Sequence, residues 1–562
     1  MTRLRIKITG ESGSGLLSTG EIITNALEEM GFNIVADREY PSLIKGGESC
    51  YTLNISTDNL WSLSDEADIM LALDKQSLEA YHPKLKKGGH LVHGYERLKG
   101  LGKILEQMDC EITHVMGRTV AKEQGGNVLM VNVVLIGVLW KVLGLPYKFV
   151  EDEVKKQFAS KPALLEIDLR CLQAGYDLAE TKFQIEIPSA KNDQIVINGN
   201  NAIALGAIHA GCRAYYAYPM SPASSILTYM AKYAKDTGVL VKQAEDEITA
   251  SQMTLGSMYA GTRAMTATSG GGYDLMTETV SLAGITETPM VVCIAQRPGP
   301  GTGLPTWTAQ ADLHLAISSS HGEFARLVIA VADPSDAFDL IQHAFNYAEE
   351  FQIPVILLTE KVIAENLISI DRFEQNKIPI KRGLSTKEHK NEDRFAITES
   401  GISPRWVPGS QDAYYFANGD EHWTSGELTE DEQPSQEMYA KRIRKLETLK
   451  AELPEPVIYG NPKAKISFVG WGSTLNVMRD IIAENPDVNY LHYSYVFPLK
   501  TETLNKFFAE NPNVHLAENN YMGQLGHYIQ AETQNQFAGK LLKANGRPFF
   551  IEDLQAYINN QI

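Results

Sequence analysis

Apolar and polar positions alternate along this chain in a strand–loop–helix rhythm that is interrupted once. Leu4 to Thr9 alternates as a short strand, and a glycine-rich turn, Gly10-Glu11-Ser12-Gly13-Ser14-Gly15, separates it from a helical pattern over Leu16 to Met30 that stops at Gly31. Phe32 to Ala36 and Ile69 to Leu73 read as further strands, and the apolar run Gly125 to Leu143 as a buried helix. The rhythm is strongest from about 193 to 370. Strands are expected there at Ala214–Ala217, Leu240–Gln243, Ala264–Thr268, Met290–Ala295, Leu327–Val331 and Pro354–Leu358, with helices at Ala223–Lys235, Ile248–Tyr259 and Asp274–Ala283. Such alternation predicts a mostly parallel sheet covered on both faces. In such a sheet, chemistry collects on the loops at the carboxyl ends of the strands.

From about 375 to 455 the periodicity fades. Proline, glycine and charge become frequent, Gly419-Asp420-Glu421-His422 and Glu427 to Glu432 form acidic turn-like stretches, and Gln436 to Leu453 reads as a charged helix stopped by Pro454. This is the pattern of an ordered connector that wraps another surface, with a free linker as the alternative. The rhythm resumes at 456: Lys465 to Val469 is a strand, Gly470-Trp471-Gly472-Ser473-Thr474 turns into a helix, and Val514 to Glu518 is a later strand. The expected organisation is three α/β domains, at 1–190, 191–374 and 456–562, joined by a connector at 375–455.

The length suits three or four domains, and 44% hydrophobic with 21% charged residues permits ordinary globular cores. A net charge of -18 argues against nucleic acid as the main partner, because phosphate needs a basic face. The five cysteines are widely spaced and form no C-x-x-C pair, so neither an iron–sulfur cluster nor a zinc ribbon has its ligand spacing, and no metal site is expected on this chain. Their odd number suits reduced thiols; Cys293, inside Val291-Val292-Cys293-Ile294, reads as a buried small hydrophobe. With no signal peptide and no stretch of about 18 apolar residues, the expectation is a soluble, cytoplasmic protein without a membrane segment.

Four loops of the middle domain follow successive strands. Tyr218-Pro219-Met220-Ser221-Pro222 precedes a helix; its prolines stiffen the loop and set the Ser221 hydroxyl near free backbone N–H groups, either for an anionic ligand or as a helix cap. Gln243-Ala244-Glu245-Asp246-Glu247 carries three carboxylates at a helix start, more than the dipole requires, so at least one suits an acid/base group in an apolar site. Thr268-Ser269-Gly270-Gly271-Gly272 lets a flat or anionic ligand approach the backbone, although a tight turn explains it equally. Gln296-Arg297-Pro298-Gly299-Pro300-Gly301-Thr302-Gly303-Leu304-Pro305-Thr306 places one arginine among small, stiff residues, where it can grip a carboxylate or stay solvated. Four such loops are expected to converge at one sheet edge.

This order of motifs resembles the alpha subunit of 2-oxoacid:ferredoxin oxidoreductases, and the gamma–alpha fusion and connector described next look most like the 2-oxoglutarate enzymes. The N-terminal unit resembles the family's gamma component, fused ahead of alpha. The C-terminal unit, with Gly472-Ser473-Thr474 and Glu518-Asn519-Asn520-Tyr521-Met522-Gly523-Gln524-Leu525, resembles a transketolase-C-like domain, and Gly401-Ile402-Ser403-Pro404-Arg405 fits the connector. The resemblance implies a Rossmann-like first domain and a doubly wound central sheet of the pyrimidine-binding type found in thiamine diphosphate enzymes. It implies Glu247 as the catalytic glutamate at the aminopyrimidine, where proton exchange with the ring activates the thiazolium carbon. It further implies Tyr218, Pro219, Ser269 and Gly270 on the cofactor side, and Ser221, Arg297, Thr302 and Thr306 at the 2-oxoacid. Gly13, Ser14, Gly15 and Lys45 would meet coenzyme A, although Glu11 in that loop opposes an anion.

Some motifs depart from the family pattern. Ser221 stands where threonine is usual, and the hydroxyl survives. The glycine turn lacks the proline usual where Gly271 or Gly272 stands, which implies a looser loop. Lys45-Gly46-Gly47-Glu48-Ser49 replaces an arginine-led motif. No Gly-Asp-Gly opens a Mg²⁺–diphosphate site. The expectation is therefore that Mg²⁺, the diphosphate half of the cofactor and a [4Fe-4S] cluster lie on a beta subunit, that ferredoxin takes the electrons, and that the assembly is a dimer of heterodimers. Pyruvate or broad specificity stays open. Two other classes compete: a NAD-dependent dehydrogenase, with Gly13-Ser14-Gly15 as dinucleotide loop and Asp37 as ribose acid, and a non-catalytic assembly subunit. A lipoate-coupled component is disfavoured by domain order.

Overall fold

The computed structural model describes residues 3–43, 46–96 and 101–561. The chain divides into two compact units, one of Met1–Ile197, Asn366–Arg372 and Phe550–Leu554, the other of Asn198–Glu365, Phe373–Phe549 and Gln555–Ile562.

The first unit is built on an eight-stranded sheet in the order Cys110–His114, Leu85–His93, Ala67–Ala72, Arg3–Glu11, Glu48–Ser56, Asn33–Glu39, Leu367–Asp371, Gln194–Ile197. Its first four strands are parallel, as the strand–helix rhythm predicts; the rest pair antiparallel. Two features depart from expectation. Gln194–Ile197 and Leu367–Asp371 flank the middle region in sequence but pair with each other and onto Asn33–Glu39, so the expected boundaries at 190 and 374 give way. A strand edge needs partners for its N–H and C=O groups, and these two strands supply them; the Ile34 N–H also donates to Ser369 Oγ at 2.9 Å. The strand Glu48–Ser56 has no clear sequence signal because polar residues are buried along it: Lys7 Nζ donates to Thr52 Oγ1 at 2.8 Å, and Asn54 Nδ2 donates to the Ser62 carbonyl at 3.3 Å.

The apolar run in the first unit becomes the helix Val131–Val142, which begins after Gly125 and packs on Pro162–Asp177. Both helices carry a glycine at the crossing. A Cβ on Gly137 would lie 2.1 Å from the Leu172 carbonyl, and one on Gly175 2.0 Å from that of Val134. Among the described residues no single helix is long and apolar enough to cross a membrane. All five cysteines are free, and Cys293 lies in the core.

The second unit holds a seven-stranded sheet in the order Tyr495–Phe497, Leu327–Ala330, Pro354–Glu360, Met290–Gln296, Ala264–Thr268, Ala214–Ala217, Leu240–Gln243. All neighbours are parallel except the edge strand Tyr495–Phe497. Its inner strands are buried on both faces, which is why they read as continuous apolar runs. Along Met290–Gln296, Val291, Cys293 and Ala295 enter one core while Met290, Val292 and Ile294 enter the other. That second core also contains Val469, Trp471 and Leu491 from the five-stranded C-terminal sheet. Residues 456–549 are therefore packed into the same unit as the middle sheet.

The connector is ordered and held by buried charge. Its helix Glu432–Glu452 brings Lys441 and Lys445 onto Glu287, all three side chains buried, with Lys445 Nζ 2.5 Å from Glu287 Oε2. Arg405, from the Gly401–Arg405 phrase, joins Arg263 and Arg382 around the buried Glu349, the first at 3.2 Å and the others at 2.7 and 2.8 Å.

Candidate active site

Strands Met290–Gln296, Ala264–Thr268, Ala214–Ala217 and Leu240–Gln243 are consecutive and parallel in the sheet, so their four following loops emerge on one edge. The structure sorts the three carboxylates of the second loop. Asp246 is the N-cap of the helix Glu247–Tyr259, accepting from the Thr249 N–H at 2.7 Å. Glu245 is exposed. Glu247, the first helical residue, is buried, and its Oε1 has no hydrogen-bond partner among the described residues. A cap therefore explains one of the three, and Glu247 is the one that solvation and capping leave unexplained.

The third loop closes against Glu247. Helix Gly270–Ile285 starts directly at Gly270, so the glycines form its first turn. A Cβ at Gly272 would sit 1.9 Å from Thr268 Oγ1 and 2.8 Å from Glu247 Oε1, whereas Gly271 faces open space. Only position 271 therefore has room for a side chain. Ser269 occupies the N-cap position without capping; its Oγ and Thr268 Oγ1 are buried and, like Glu247 Oε1, unpartnered. Substituting Gly272 by alanine is expected to displace Glu247 and lower kcat by about 10²-fold, the cost of an ångström-scale misplacement. Steady-state assay of the assembled enzyme beside a melting curve would separate this from unfolding.

The first and fourth loops are joined by one bond: Arg297 Nη1 donates to the Ser221 carbonyl at 2.8 Å. Ser221 itself is exposed. Pro222 and Ala223 intervene before the helix Ser224–Thr237, whose N-cap is Ala223, so Ser221 neither caps nor lies in the first turn. This corrects the helix-cap reading and leaves the exposed hydroxyl ahead of the helix start. Burial lowers the Arg297 pKa, against the opposing charge of Asp312. Tyr218, Pro219 and Thr302 are exposed on their loops, and Thr306 is buried.

Two functional candidates escaped sequence reasoning. Asp312 approaches the third loop so closely that a Cβ on Gly270 would lie 2.6 Å from its carboxylate. Gln310 organises the end of the arginine loop. Its Nε2 donates to Glu360 Oε1 and to the Trp471 carbonyl, both at 2.8 Å, and its Oε1 accepts from the Asn519 N–H at 2.7 Å. Ser473 donates to the same Glu360 through its N–H at 2.8 Å and its hydroxyl at 2.6 Å, and burial pushes Glu360 up to about 7. The Gly472–Thr474 and Glu518–Leu525 motifs thus serve as a clamp on Gln310 and Glu360. Their sequence signal was visible, but their target was not.

In the first unit, Gly13, Ser14 and Gly15 line a cavity of about 970 Å³ with Arg118, Tyr95 and Asn132. Gly15, at φ 88°, is the N-cap of helix Leu16–Glu29, so the loop presents free helix N–H groups. Asn132 Nδ2 donates to the Ser14 carbonyl at 2.9 Å. Glu11 is not among the lining residues, but Glu96 is, beside Arg118, so the cavity holds both a carboxylate and a cation. Lys45 lies outside the described residues. The dinucleotide reading loses its geometry. Glu48–Ser56 separates the strand bearing Asp37 from the glycine-loop strand, and Asp37 is buried. A nicotinamide βαβ unit needs those two strands adjacent and parallel.

The parallel sheet thus carries a buried, unpartnered glutamate at a helix start on its carboxyl edge. The family description "Pyruvate flavodoxin/ferredoxin oxidoreductase, thiamine diP-bdg" accordingly matches residues 205–442, and "Pyruvate ferredoxin/flavodoxin oxidoreductase" matches 5–178. The chain is 31% identical to the 2-oxoacid:ferredoxin oxidoreductase subunit alpha of a Sulfolobus species, over 98% of this chain and 96% of that one. It belongs to the 2-oxoacid:ferredoxin oxidoreductase alpha subunits. It is also 26% identical to the 2-oxoglutarate oxidoreductase subunit KorA of Mycobacterium tuberculosis, over 98% and 90% of the two chains. Among solved structures, the 2-oxoglutarate:ferredoxin oxidoreductase of Magnetococcus marinus, with 2-oxoglutarate, coenzyme A and succinyl-CoA bound, superposes with a TM-score of 0.93 at 29% identity, covering both chains fully.

Proposed function

We propose that this chain supplies the cofactor-activating and substrate-gripping half of a 2-oxoglutarate:ferredoxin oxidoreductase. The observation that carries the reading is the buried Glu247 carboxylate, unpartnered against the Gly270–Gly272 turn at the carboxyl edge of the sheet. Together with Thr268 Oγ1 and Ser269 Oγ it offers an acceptor and two hydroxyls to an aminopyrimidine, which carries both donor and acceptor nitrogens. Glu247, Ser269 and the Gly270 turn would hold that ring, with Tyr218 and Pro219 on the adjoining loop. Thiamine diphosphate supplies the carbon nucleophile and electron sink that make 2-oxoacid decarboxylation possible. Glu247 holds and returns the proton that the ring nitrogen exchanges, in a site its burial keeps dry. Arg297 binds the substrate carboxylate, anchored by the Ser221 carbonyl, with the Ser221 and Thr302 hydroxyls beside it and Thr306 supporting the loop.

Coenzyme A is assigned to the cavity at Gly13–Gly15, where helix N–H groups and Arg118 suit phosphate and the roomy volume suits a long thiol arm. Mg²⁺, the diphosphate and the [4Fe-4S] cluster are assigned to a beta subunit, with ferredoxin as electron acceptor, in a cytoplasmic dimer of heterodimers. The naming of relatives as alpha subunits supports the division. The full-length likeness to a 2-oxoglutarate enzyme supports that substrate over pyruvate.

The test is co-expression with the neighbouring small-subunit gene, followed by coenzyme A-dependent viologen reduction. The complex is expected to turn over 2-oxoglutarate faster than pyruvate or a branched 2-oxoacid. Faster pyruvate turnover would overturn the substrate assignment. Activity of the lone chain with thiamine diphosphate would overturn the division between subunits.

A further inference from the structure

We propose that Asn200 is a positioning residue for the 2-oxoacid: its buried amide fixes the Ser221–Pro222 backbone, and that backbone sets the Arg297 guanidinium for the substrate carboxylate. The inference rests on reading Arg297 as the substrate-carboxylate group.

Asn200 is the second residue of the helix Gly199–His209 and is fully buried. It does not cap that helix. Asn198 does so, accepting from the Asn201 N–H at 2.9 Å. The Asn200 side chain reaches instead to the first loop of the site. Its Nδ2 donates to the Pro222 carbonyl at 2.8 Å and to Ser225 Oγ at 2.7 Å, so both amide hydrogens are used. The orientation of the amide follows from its partner, since a carbonyl only accepts and must face the nitrogen. Oδ1 is left buried with no hydrogen-bond partner among the described residues. A buried oxygen without a partner is costly, and an apolar side chain of the same size would avoid that cost. What such a side chain would lack is the two donated bonds.

Those bonds act where the first loop meets Arg297. Pro222 has no N–H, so its carbonyl is the one backbone group through which it can be hydrogen-bonded. Ser221, the residue before it, accepts from Arg297 Nη1 through its own carbonyl at 2.8 Å. Adjacent carbonyls are thus engaged by Asn200 and by Arg297, and the stiff proline residue between them couples the two contacts. The base of the arrangement is rigid. A Cβ on Gly199 would stand 2.6 Å from the Ile363 carbonyl, and one on Gly206 2.4 Å from that of Phe338, so the helix carrying Asn200 is pressed against its neighbours at two points. A guanidinium on a long flexible stem binds an anion better when its geometry is set beforehand.

In the assembled enzyme, Asn200→Ala is expected to raise KM for the 2-oxoacid by roughly tenfold, the size of one hydrogen bond to a charged group. KM for coenzyme A should stay unchanged, and kcat should change far less. A merely structural role would lower kcat through the fraction of active enzyme and would not single out one KM. Arg297→Gln should raise the same KM by a larger factor. Adding Asn200→Ala to Arg297→Gln should raise it no further, because the amide acts through the guanidinium. Should Asn200→Ala not assemble, Asn200→Asp takes its place: it keeps the shape but, ionised, turns an acceptor toward the Pro222 carbonyl, and should raise KM in the same way. If Arg297→Gln leaves KM unchanged, the carboxylate reading of Arg297 fails and takes the inference with it. If Arg297→Gln raises KM while the Asn200 variant keeps the wild-type value, or if the two effects multiply in the double variant, the Asn200 inference alone is overturned.

Discussion

Replacing Glu247 by alanine is expected to lower turnover of the assembled enzyme by roughly 10²–10⁴-fold, the range a positioned acid/base group contributes. The size of the loss follows from the site. Asp246, next to it, is already spent on the helix cap, and Glu245 is exposed, so no neighbouring carboxylate on that turn can substitute. Gly272 leaves room for the glutamate against the third loop, where a Cβ would lie 2.8 Å from Oε1. A second readout guards against a structural explanation. An unpartnered buried polar group costs about 1–3 kcal/mol of stability, so losing it should leave the melting temperature unchanged or raise it. Activity lost with stability kept is the signature of a functional residue. Unchanged activity would take Glu247 out of the mechanism and favour a subunit that kept the fold without its chemistry.

The largest stability effect is expected at Glu287. Changing it to glutamine leaves Lys441 and Lys445 buried and uncompensated. Breaking a buried ion pair from one side costs roughly 3–5 kcal/mol, enough to lower the thermal transition by several degrees. Glu287 lies at φ 48° in the turn between the helix Gly270–Ile285 and the strand Met290–Gln296, so it ties the connector to two elements that carry the site. Burial alone would raise its pKa; Lys441, Lys445 and Arg394 outweigh burial and hold the carboxyl well below the usual range. A carboxyl depressed in the folded state contributes stability above its unfolded pKa and loses it as pH falls. Wild-type stability should therefore drop on acidification below the ordinary glutamate range, and Glu287→Gln should lack that portion of the drop. Thermal scans from neutral to acidic pH on both proteins check the sign. A variant as stable as wild type at neutral pH would mean that the two lysines find other partners or discharge.

The middle sheet was legible because its inner strands, buried on both faces, must be apolar without interruption, and helices must bridge parallel neighbours. The edge that carries the four loops was legible for a related reason. Loops at the carboxyl ends of successive parallel strands share an edge, so the order of four motifs already implied their convergence. The N-terminal half was less legible. Glu48–Ser56 is a central strand whose polar residues are satisfied by partners far off in the chain, such as Lys7, and no local pattern announces that.

What the sequence determined by itself was the parallel sheet, the four loops and the residue types they carry, since these depend on local periodicity and turn chemistry. Tertiary structure alone decided which carboxylate of Glu245, Asp246 and Glu247 is buried, because capping and burial compete within one helical turn and only packing against Gly272 settles the outcome. It also placed the Asp312 carboxylate against Gly270 and the Gln310 amide between Glu360 and Asn519, contacts between distant segments that no spacing along the chain encodes.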